Sequence, residues 1–281
     1  MLRPLPGALS RLFLNSLPII PMAIPELSGG PRDSIRSYEL RQGRLTSGQR
    51  RALEQHWETY GVPATSGVLD LDEIFGRRAP RVLDIGSGMG DTTVTIAARH
   101  PENDYLALEV HLPGVGALTR RAAAEGLRNL RVLRADAKAV VGGRLPPDSF
   151  DEAWIFFPDP WVKRRQHKRR LVGSEFINAL AQRLKPSGRL SMATDWDDLA
   201  KHMRTTCDRN PLLQNLAGRG HFAPRPAWRP LTKFEQRGLR LGHAVRDLVY
   251  ARVGPTGSKE ANDPTDGNSS AVLGGDLLSG C

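Results

Sequence analysis

Residues 81–90 read RVLDIGSGMG, and this stretch decides the fold. Its first five residues form an apolar run of strand length, and the glycines after them predict a tight turn. The next segment, Asp91–Arg99, has the composition of a helix. A strand, a glycine-rich turn and a helix in this order open a βαβ unit.

The same alternation continues along the chain. Further strands are predicted at Tyr105–Val110, Leu130–Leu133, Ala153–Phe157 and Arg189–Ala193, with an added edge strand at Val245–Val253. Helices are predicted at Gly114–Glu125, Glu175–Leu184 (ended by Pro186 and Gly188) and Asp197–Cys207. This spacing predicts an α/β fold, with helices on both faces of a mostly parallel sheet.

Composition excludes a membrane protein and indicates the cellular compartment. Among 281 residues there is no uninterrupted apolar run of about 18, so a membrane protein is excluded. Two cysteines, Cys207 and Cys281, suit the reducing cytoplasm, where we expect the protein. Residues 1–36, with five prolines before residue 31, are predicted to be a disordered leader, and residues 254–281 a disordered tail. One domain is expected at 37–253.

Charge points to a polyanionic partner. Forty Lys and Arg against 30 Asp and Glu give a net charge of +10, and nucleic acid is the commonest polyanion. Six of these cations lie in KRRQHKRR at 163–170, called here the basic run. Such a run is often a solvated face or an import signal. The run begins two residues after the segment FFPDPW at 156–161, a candidate catalytic turn, and this position favours contacts with RNA phosphates.

Acidic residues follow the predicted strands, in the region where open parallel sheets bind ligands. They are Asp84, Glu109, Asp136, Asp159 and Asp195. One such acid is usually a helix cap, but five in register favour a binding site. An acidic edge in a basic chain suits a ligand with an ammonium, a sulfonium and a ribose diol rather than phosphates.

The glycine loop narrows the choice of ligand. GSGMG at 86–90 lacks the G-x-G-x-x-G spacing of a dinucleotide site, which favours S-adenosylmethionine over a nicotinamide cofactor. Gly86 and Gly88 belong to the predicted cofactor loop. Glu109 is expected to accept from the ribose hydroxyls, and Asp136 from the adenine amino group. Asp84 is expected to hold either the loop or the methionyl ammonium.

The segment FFPDPW at 156–161, called here the proline turn, is more specific. Each proline fixes its own φ and restricts the residue before it, so Asp159 is held stiffly at the reacting edge. Trp161 offers a ring on which a base could stack. The alternative interpretation is a tight turn with a core tryptophan.

A second polar cluster, RPLTKFEQR at 229–237, mixes cations, a hydroxyl and an acid, which suits a nucleoside and its phosphate. The stretch Thr232–Glu235, called here the substrate segment, also has the spacing of a capping box at a helix start. Both interpretations can hold together.

Together these motifs resemble the bacterial tRNA (guanine-N7)-methyltransferase family. The ordered pieces are RQGRLT at 41–46, DIGSGMG at 84–90, LEVHLPGVG at 108–116, the proline turn with its basic run, TDW at 194–196 and TKFEQRG at 232–238. The resemblance implies a Rossmann-like class I methyltransferase domain with a seven-stranded sheet. It also implies S-adenosylmethionine as cofactor, and N7 of guanosine 46 in the variable loop of tRNA as target.

The resemblance also implies residue roles by motif position. Asp84, Glu109, Asp136 and Asp159 match the cofactor-site acids, and Asp159 also matches the catalytic residue. Substrate-binding positions are matched by Lys163, Asp195, Thr232, Lys233, Phe234 and Glu235, and the RNA-contacting run by Arg165, Gln166, His167, Lys168, Arg169 and Arg170. Two departures are Asp84, where the family has Glu, and Gln166, which stands in the family's histidine slot, one place before His167.

Three other functions compete with this one. A nicotinamide-dependent oxidoreductase conflicts with the loop spacing, and a methyltransferase for small molecules or proteins has no use for the basic run. A non-catalytic RNA-binding module leaves the five acids without a purpose. No metal site is predicted, and both a monomer and a homodimer are compatible with the sequence.

Overall fold

The computed structural model describes residues 35–39, 43–63, 67–231, 235–236, 240, 242 and 244–254. The predicted leader and tail lie outside the described residues, apart from Ile35, Arg36 and Gly254. Within the described part of the chain, none of the helices has the length and apolar character to cross a membrane.

Seven strands and seven α-helices are bounded within the described chain, and from β1 to β6 they alternate. The strands are β1 (Arg81–Ile85), β2 (Asp104–Leu108), β3 (Leu130–Leu133), β4 (Phe150–Phe156), β5 (Leu184–Thr194), β6 (Leu213–Asn215) and β7 (Arg246–Arg252). The helices are α1 (Ser47–Tyr60), α2 (Leu71–Phe75), α3 (Asp91–Arg99), α4 (Leu112–Ala124), α5 (Ala137–Gly143), α6 (Ser174–Arg183) and α7 (Asp197–Asp208). Most of the basic run forms a 3-10 helix at Arg164–Arg169.

The strands form one sheet in the order β3-β2-β1-β4-β5-β7-β6. Strands β1 to β5 are parallel, and β7 is antiparallel to both of its neighbours. The chain runs outward from β1 to β3 and then crosses back to β4, so the strand order reverses between β1 and β4. Ligands of such sheets bind in the crevice at that reversal, beyond the carboxyl ends of the strands.

Side chains that alternate along each strand build a core on both faces of the sheet. Leu83 and Leu106 pack with helices α2, α5, α6 and α7, whereas Val82 and Tyr105 pack with helices α1, α3 and α4. Both faces are therefore buried, which explains why the central strands read as continuous apolar runs. The predicted mostly parallel sheet with helices on both faces is confirmed.

One difference from the predicted elements lies at the start of β5. Helix α6 ends at Arg183 and β5 begins at once at Leu184, whereas Pro186 and Gly188 predict a loop here. The pairing with β4 jumps from Phe150–Leu184 to Glu152–Arg189, so residues 185–188 form a bulge inside the strand. A β-bulge is one of the few places where a sheet accepts Pro and Gly.

Candidate active site

The glycine loop after β1 brings main chain to the edge of the crevice. Gly86 and Gly88 both have positive φ, at 79° and 57°, a conformation that residues with a Cβ rarely adopt. A Cβ added to either would meet nothing within 4 Å, so both positions border open space. The loop can therefore let a ligand approach its backbone closely.

Glu109 ties this loop to the end of β2. Its Oε2 accepts from the backbone N–H of Gly88 at 2.7 Å, and its Oε1 accepts from Val110 and His111 at 2.7 and 2.8 Å. A carboxylate oxygen can accept two hydrogen bonds, so Oε2 keeps capacity for a hydroxyl group. The side chain is buried, yet it lines the cavity beyond the strand ends.

Asp136 lies beside Glu109 at the end of the neighbouring strand. It caps α5, where its Oδ1 accepts from the backbone N–H of Lys138 at 2.9 Å, and it lines the same cavity. This buried residue therefore has a structural role as a helix cap and also borders the cavity. At this position the acid after a strand is both a helix cap and part of the candidate binding site.

Asp84 has a different place from the other acids. It is buried inside β1, accepts a hydrogen bond from the hydroxyl of Thr93 in α3, and does not line the cavity. Of the two roles that the sequence left open, this geometry favours holding the loop over binding an ammonium group. Burial raises the pKa of Asp84 to about 6; the hydrogen bond from Thr93 opposes this shift, and the nearby charge of Glu109 adds to it.

Asp84→Asn should change how stability depends on pH. A carboxyl whose pKa is raised on folding binds its proton more tightly in the folded state, so it costs stability as pH rises from about 4 through 6. Relative to the wild type, the Asn variant should gain up to about 3 kcal/mol of unfolding free energy by pH 7. Urea unfolding of both proteins at pH 4 to 7 measures this gain, and a difference that is constant with pH would contradict it.

The cavity brings together three of the predicted acids. Glu109, Asp136 and Asp159 all line it, with Gly86 at one edge. Apolar side chains make up much of the remaining wall: Ile85, Leu108, Ala135, Phe156 and Leu171. None of its sixteen described lining residues is a Lys or Arg. A nucleoside with an apolar base face and a ribose diol fits these walls, whereas a pyrophosphate would meet carboxylates.

The proline turn is strained on both sides of Asp159. Phe157 and Trp161 have positive φ values of 51° and 44°, which non-glycine residues seldom adopt. Such strain clusters at functional sites, where the surrounding structure holds it in place. Asp159 lines the cavity and keeps an exposed side, yet its partial burial raises its pKa, an effect that the charge of His111 opposes.

Trp161 is not the open stacking surface that the sequence suggested. Its ring is buried, the guanidinium of Arg169 lies 3.6 Å from its centroid, and its Nε1 donates to the carbonyl oxygen of Ser37 at 3.1 Å. The alternative interpretation, a tight turn with a core tryptophan, describes this residue.

The basic run divides into exposed and engaged cations. Lys163, Arg164, Arg165 and Lys168 are exposed, and Gln166 and His167 are half-buried. Arg170 is a correction: its side chain is 3% exposed, ion-paired with Asp198, and donates to the carbonyl oxygen of Pro160 at 3.1 Å. It cannot reach a phosphate from this position. His167 packs with Arg170, at 3.1 Å between their nitrogens, so it supports the turn.

The segment 35–39 supplies a cavity wall that sequence reasoning missed. Ser37 and Tyr38 line the cavity, and the Tyr38 ring meets His111 edge-on at 6.5 Å. Arg169 holds this segment by donating to the carbonyl oxygens of Arg36 and Tyr38, at 3.1 and 2.7 Å. These contacts join residues more than 130 positions apart, so no local pattern could have revealed them.

The predicted substrate-binding residues are only partly described. Asp195 is half-exposed after the end of β5, whereas Thr232, Lys233 and Phe234 lie outside the described residues. Glu235 is 1% exposed, and its carboxylate accepts from Arg229 and Arg225. That carboxylate is therefore an internal ion-pair partner in this structure.

Comparisons with known proteins agree with this geometry. A family described as a putative methyltransferase matches residues 78–248. The chain is 53% identical to a tRNA (guanine-N(7)-)-methyltransferase of Nitrosomonas eutropha, over 78% of this chain and 97% of the relative. It is 51% identical to the protein of the same name from Nitrosospira multiformis, over 79% and 96%.

Among solved structures, the 16S rRNA methyltransferase KamB matches with a TM-score of 0.51 and 18% identity, over 70% of this chain and 99% of KamB. At that identity the likeness concerns the fold alone, and it confirms the Rossmann-like class I methyltransferase architecture. The two relatives match over nearly their whole length, and the matched part includes β1 to β5 with their acidic edge. The chain therefore belongs to the tRNA (guanine-N7)-methyltransferase family.

Proposed function

We propose that the protein transfers a methyl group from S-adenosylmethionine to N7 of guanosine 46 in the variable loop of tRNA, in the cytoplasm. One observation carries the proposal. Three carboxylates line a cavity whose described lining holds no Lys or Arg, and a 3-10 helix with three exposed cations begins five residues after Asp159. The site thus suits a cofactor without phosphates beside a substrate that is rich in them.

The cofactor would be held mainly by two acids. Glu109 has an oxygen available for the ribose hydroxyls, and Asp136 would accept from the adenine amino group between the apolar walls. When bound, S-adenosylmethionine supplies an electrophilic methyl group on a positively charged sulfur. Asp84 would act indirectly. It accepts a hydrogen bond from Thr93, and this bond fixes β1 to α3 on either side of the glycine loop.

Asp159 acts on the guanine through orientation and charge. Guanine N7 carries a lone pair and no proton, so its attack on a methyl group requires no general base. The ring becomes positive as the reaction proceeds, and a fixed carboxylate stabilises that developing charge. The strained proline turn holds Asp159 where it can do this and can also accept a hydrogen bond from the base.

Exposed cations of the basic run would hold the tRNA. Arg165 and Lys168 point to solvent, together with Lys163 and Arg164, so they can reach phosphates. Arg169 and Arg170 instead support the wall and the turn, and Gln166 and His167 lie between these two groups. We therefore place the phosphate contacts on the exposed members alone.

Replacing Arg164, Arg165 and Lys168 together with Ala should weaken tRNA binding and flatten its salt dependence. Each lost phosphate contact lowers the slope of log affinity against log salt by about 0.7–0.9, so the slope should fall by about two to three. Cofactor affinity should stay unchanged. Filter binding or fluorescence anisotropy between low and moderate salt measures the slope.

The matched control removes three exposed arginines from the opposite edge of the sheet: Arg78, Arg99 and Arg128. Both triple variants lose the same formal charge, so a general charge effect would lower both slopes equally. Equal slopes for the two variants would leave the basic run without an RNA role and favour a methyltransferase for small molecules or proteins.

The activity itself is tested by incubating the protein with bulk tRNA and methyl-labelled S-adenosylmethionine. Label should enter the tRNA, and nucleoside analysis should find it in 7-methylguanosine. Isothermal titration should detect binding of S-adenosylmethionine but not NAD. Binding of NAD without label transfer would instead favour the oxidoreductase.

A further inference from the structure

Arg229 is one of the largest fully buried side chains of the described structure, at 1% exposure. A buried arginine is rare unless its charge is paired and its donors are used. The sequence pattern placed this residue in a polar cluster suited to a nucleoside and its phosphate. Its burial excludes direct contact with a phosphate in this structure and requires another role.

The guanidinium of Arg229 joins two distant carboxylates. Nη1 and Nη2 donate to the two oxygens of Glu235 at 2.7 and 2.9 Å. Nε and Nη2 donate to the two oxygens of Asp247, at the start of β7, at 3.1 and 3.0 Å. Four fixed hydrogen bonds of this kind set orientation as well as distance.

The same guanidinium lies against the strand that leads into the proline turn. Its carbon Cζ is 5.7 Å from the ring centroids of both Phe156 and Phe157. Phe157 has a positive φ, and its N–H donates to the carbonyl oxygen of Ala193 in β5 at 2.8 Å. Arg229 therefore packs on the strained residue that stands two positions before Asp159.

Charge balance makes the arrangement dependent on arginine. Glu235 and Asp247 are both buried, and Arg225 supplies a second, half-exposed guanidinium 3.0 Å from Glu235. Only a planar fork can hold both carboxylates with paired bonds and still stack on aromatic rings. A lysine would keep the charge and lose that geometry.

We propose that Arg229 is a positioning residue that holds the proline turn in place. It binds Glu235 and Asp247 on one side and packs on the ring of Phe157 on the other. It does not touch the substrate, and it acts through the placement of Asp159 relative to the guanine. This inference rests on the proposed function for its activity readout.

The test compares Arg229→Lys with Arg77→Lys. Arg77 also donates to a buried carboxylate, that of Asp104, at 2.8 Å, but at the amino-terminal edge of the sheet away from the cavity. Both changes keep the charge and remove an arginine fork. At matched fractions of folded protein, Arg229→Lys should lower kcat for tRNA about 10- to 100-fold, because small misplacements of reacting groups cost that much. Affinity for S-adenosylmethionine and kcat of Arg77→Lys should stay within about twofold of wild type.

A second variant covers the case in which Arg229→Lys does not fold. Asp247→Asn removes one charged partner of Arg229 and keeps its shape, so it should lower kcat in the same pattern by a smaller factor. If either variant folds, loses stability and still has the wild-type kcat, the inference is overturned.

Hydrogen–deuterium exchange gives a readout that needs no substrate. Peptides that cover the proline turn should exchange faster in Arg229→Lys than in the wild type. In Arg77→Lys their exchange rate should equal that of the wild type. If the wild-type protein does not methylate tRNA, the proposed function fails. Faster exchange of the proline turn in Arg229→Lys would still support the positioning role. Unchanged exchange together with a wild-type kcat would overturn the positioning role alone.

Discussion

Replacing Asp159 with Ala is expected to lower the rate of methyl transfer about 10²–10³-fold, the usual effect of removing a preorganised group that meets developing charge. The proline turn holds this carboxylate at the cavity through two prolines and two residues with positive φ. Alanine leaves that backbone in place, so the loss should come from the missing charge. Single-turnover transfer to tRNA measures the effect.

Affinity for S-adenosylmethionine should remain measurable in the same variant, because Glu109 and Asp136 still line the cavity. The control is Glu102→Ala, which removes an exposed carboxylate near the amino end of β2 and should transfer methyl groups at the wild-type rate. Near-normal turnover in Asp159→Ala would contradict its catalytic role.

Glu109→Ala is expected to weaken binding of S-adenosylmethionine about 100-fold or more, since each hydrogen bond to a charged acceptor is worth about 1.5–3 kcal/mol. The structure adds a second reason. Glu109 also accepts from Gly88, so its loss releases the glycine loop from the end of β2. Isothermal titration measures the affinity, and tRNA binding should change little.

Glu109→Gln is a milder change, which keeps the size of the side chain and removes its charge. The amide carries one accepting oxygen in place of two, and its NH₂ group would face a backbone N–H of Gly88 or of Val110 and His111. An intermediate loss of cofactor affinity is therefore expected. Unchanged cofactor affinity in Glu109→Ala, with weaker tRNA binding, would mean that the acid of β2 belongs to the RNA site.

The central strands and their acids were predictable from sequence. Strands β1 and β3 match their predicted bounds, because both are short apolar runs closed by strong turn or polar signals. Chain connectivity then places the strand-end acids on one edge of the sheet. Helix α1 was missed, although Thr46 and Gln49 form a capping box that could have marked its start.

Burial within the basic run was not predictable. The run forms a 3-10 helix, in which residues three apart lie on the same side. His167 and Arg170 thus share an inner side, whereas Arg165 and Lys168 share an outer one. The letters KRRQHKRR carry no signal for this helix type, and the acid that binds Arg170, Asp198, comes from another element.

Mapping the methylated nucleotide tests the central claim most directly. A tRNA transcript with guanosine at position 46 and a second with adenosine there are incubated with the protein and labelled S-adenosylmethionine. We predict one 7-methylguanosine per molecule in the first transcript, with chain cleavage after reduction and aniline treatment at position 46, and no label in the second. Equal label in both transcripts, or label on another atom or nucleotide, would contradict the account.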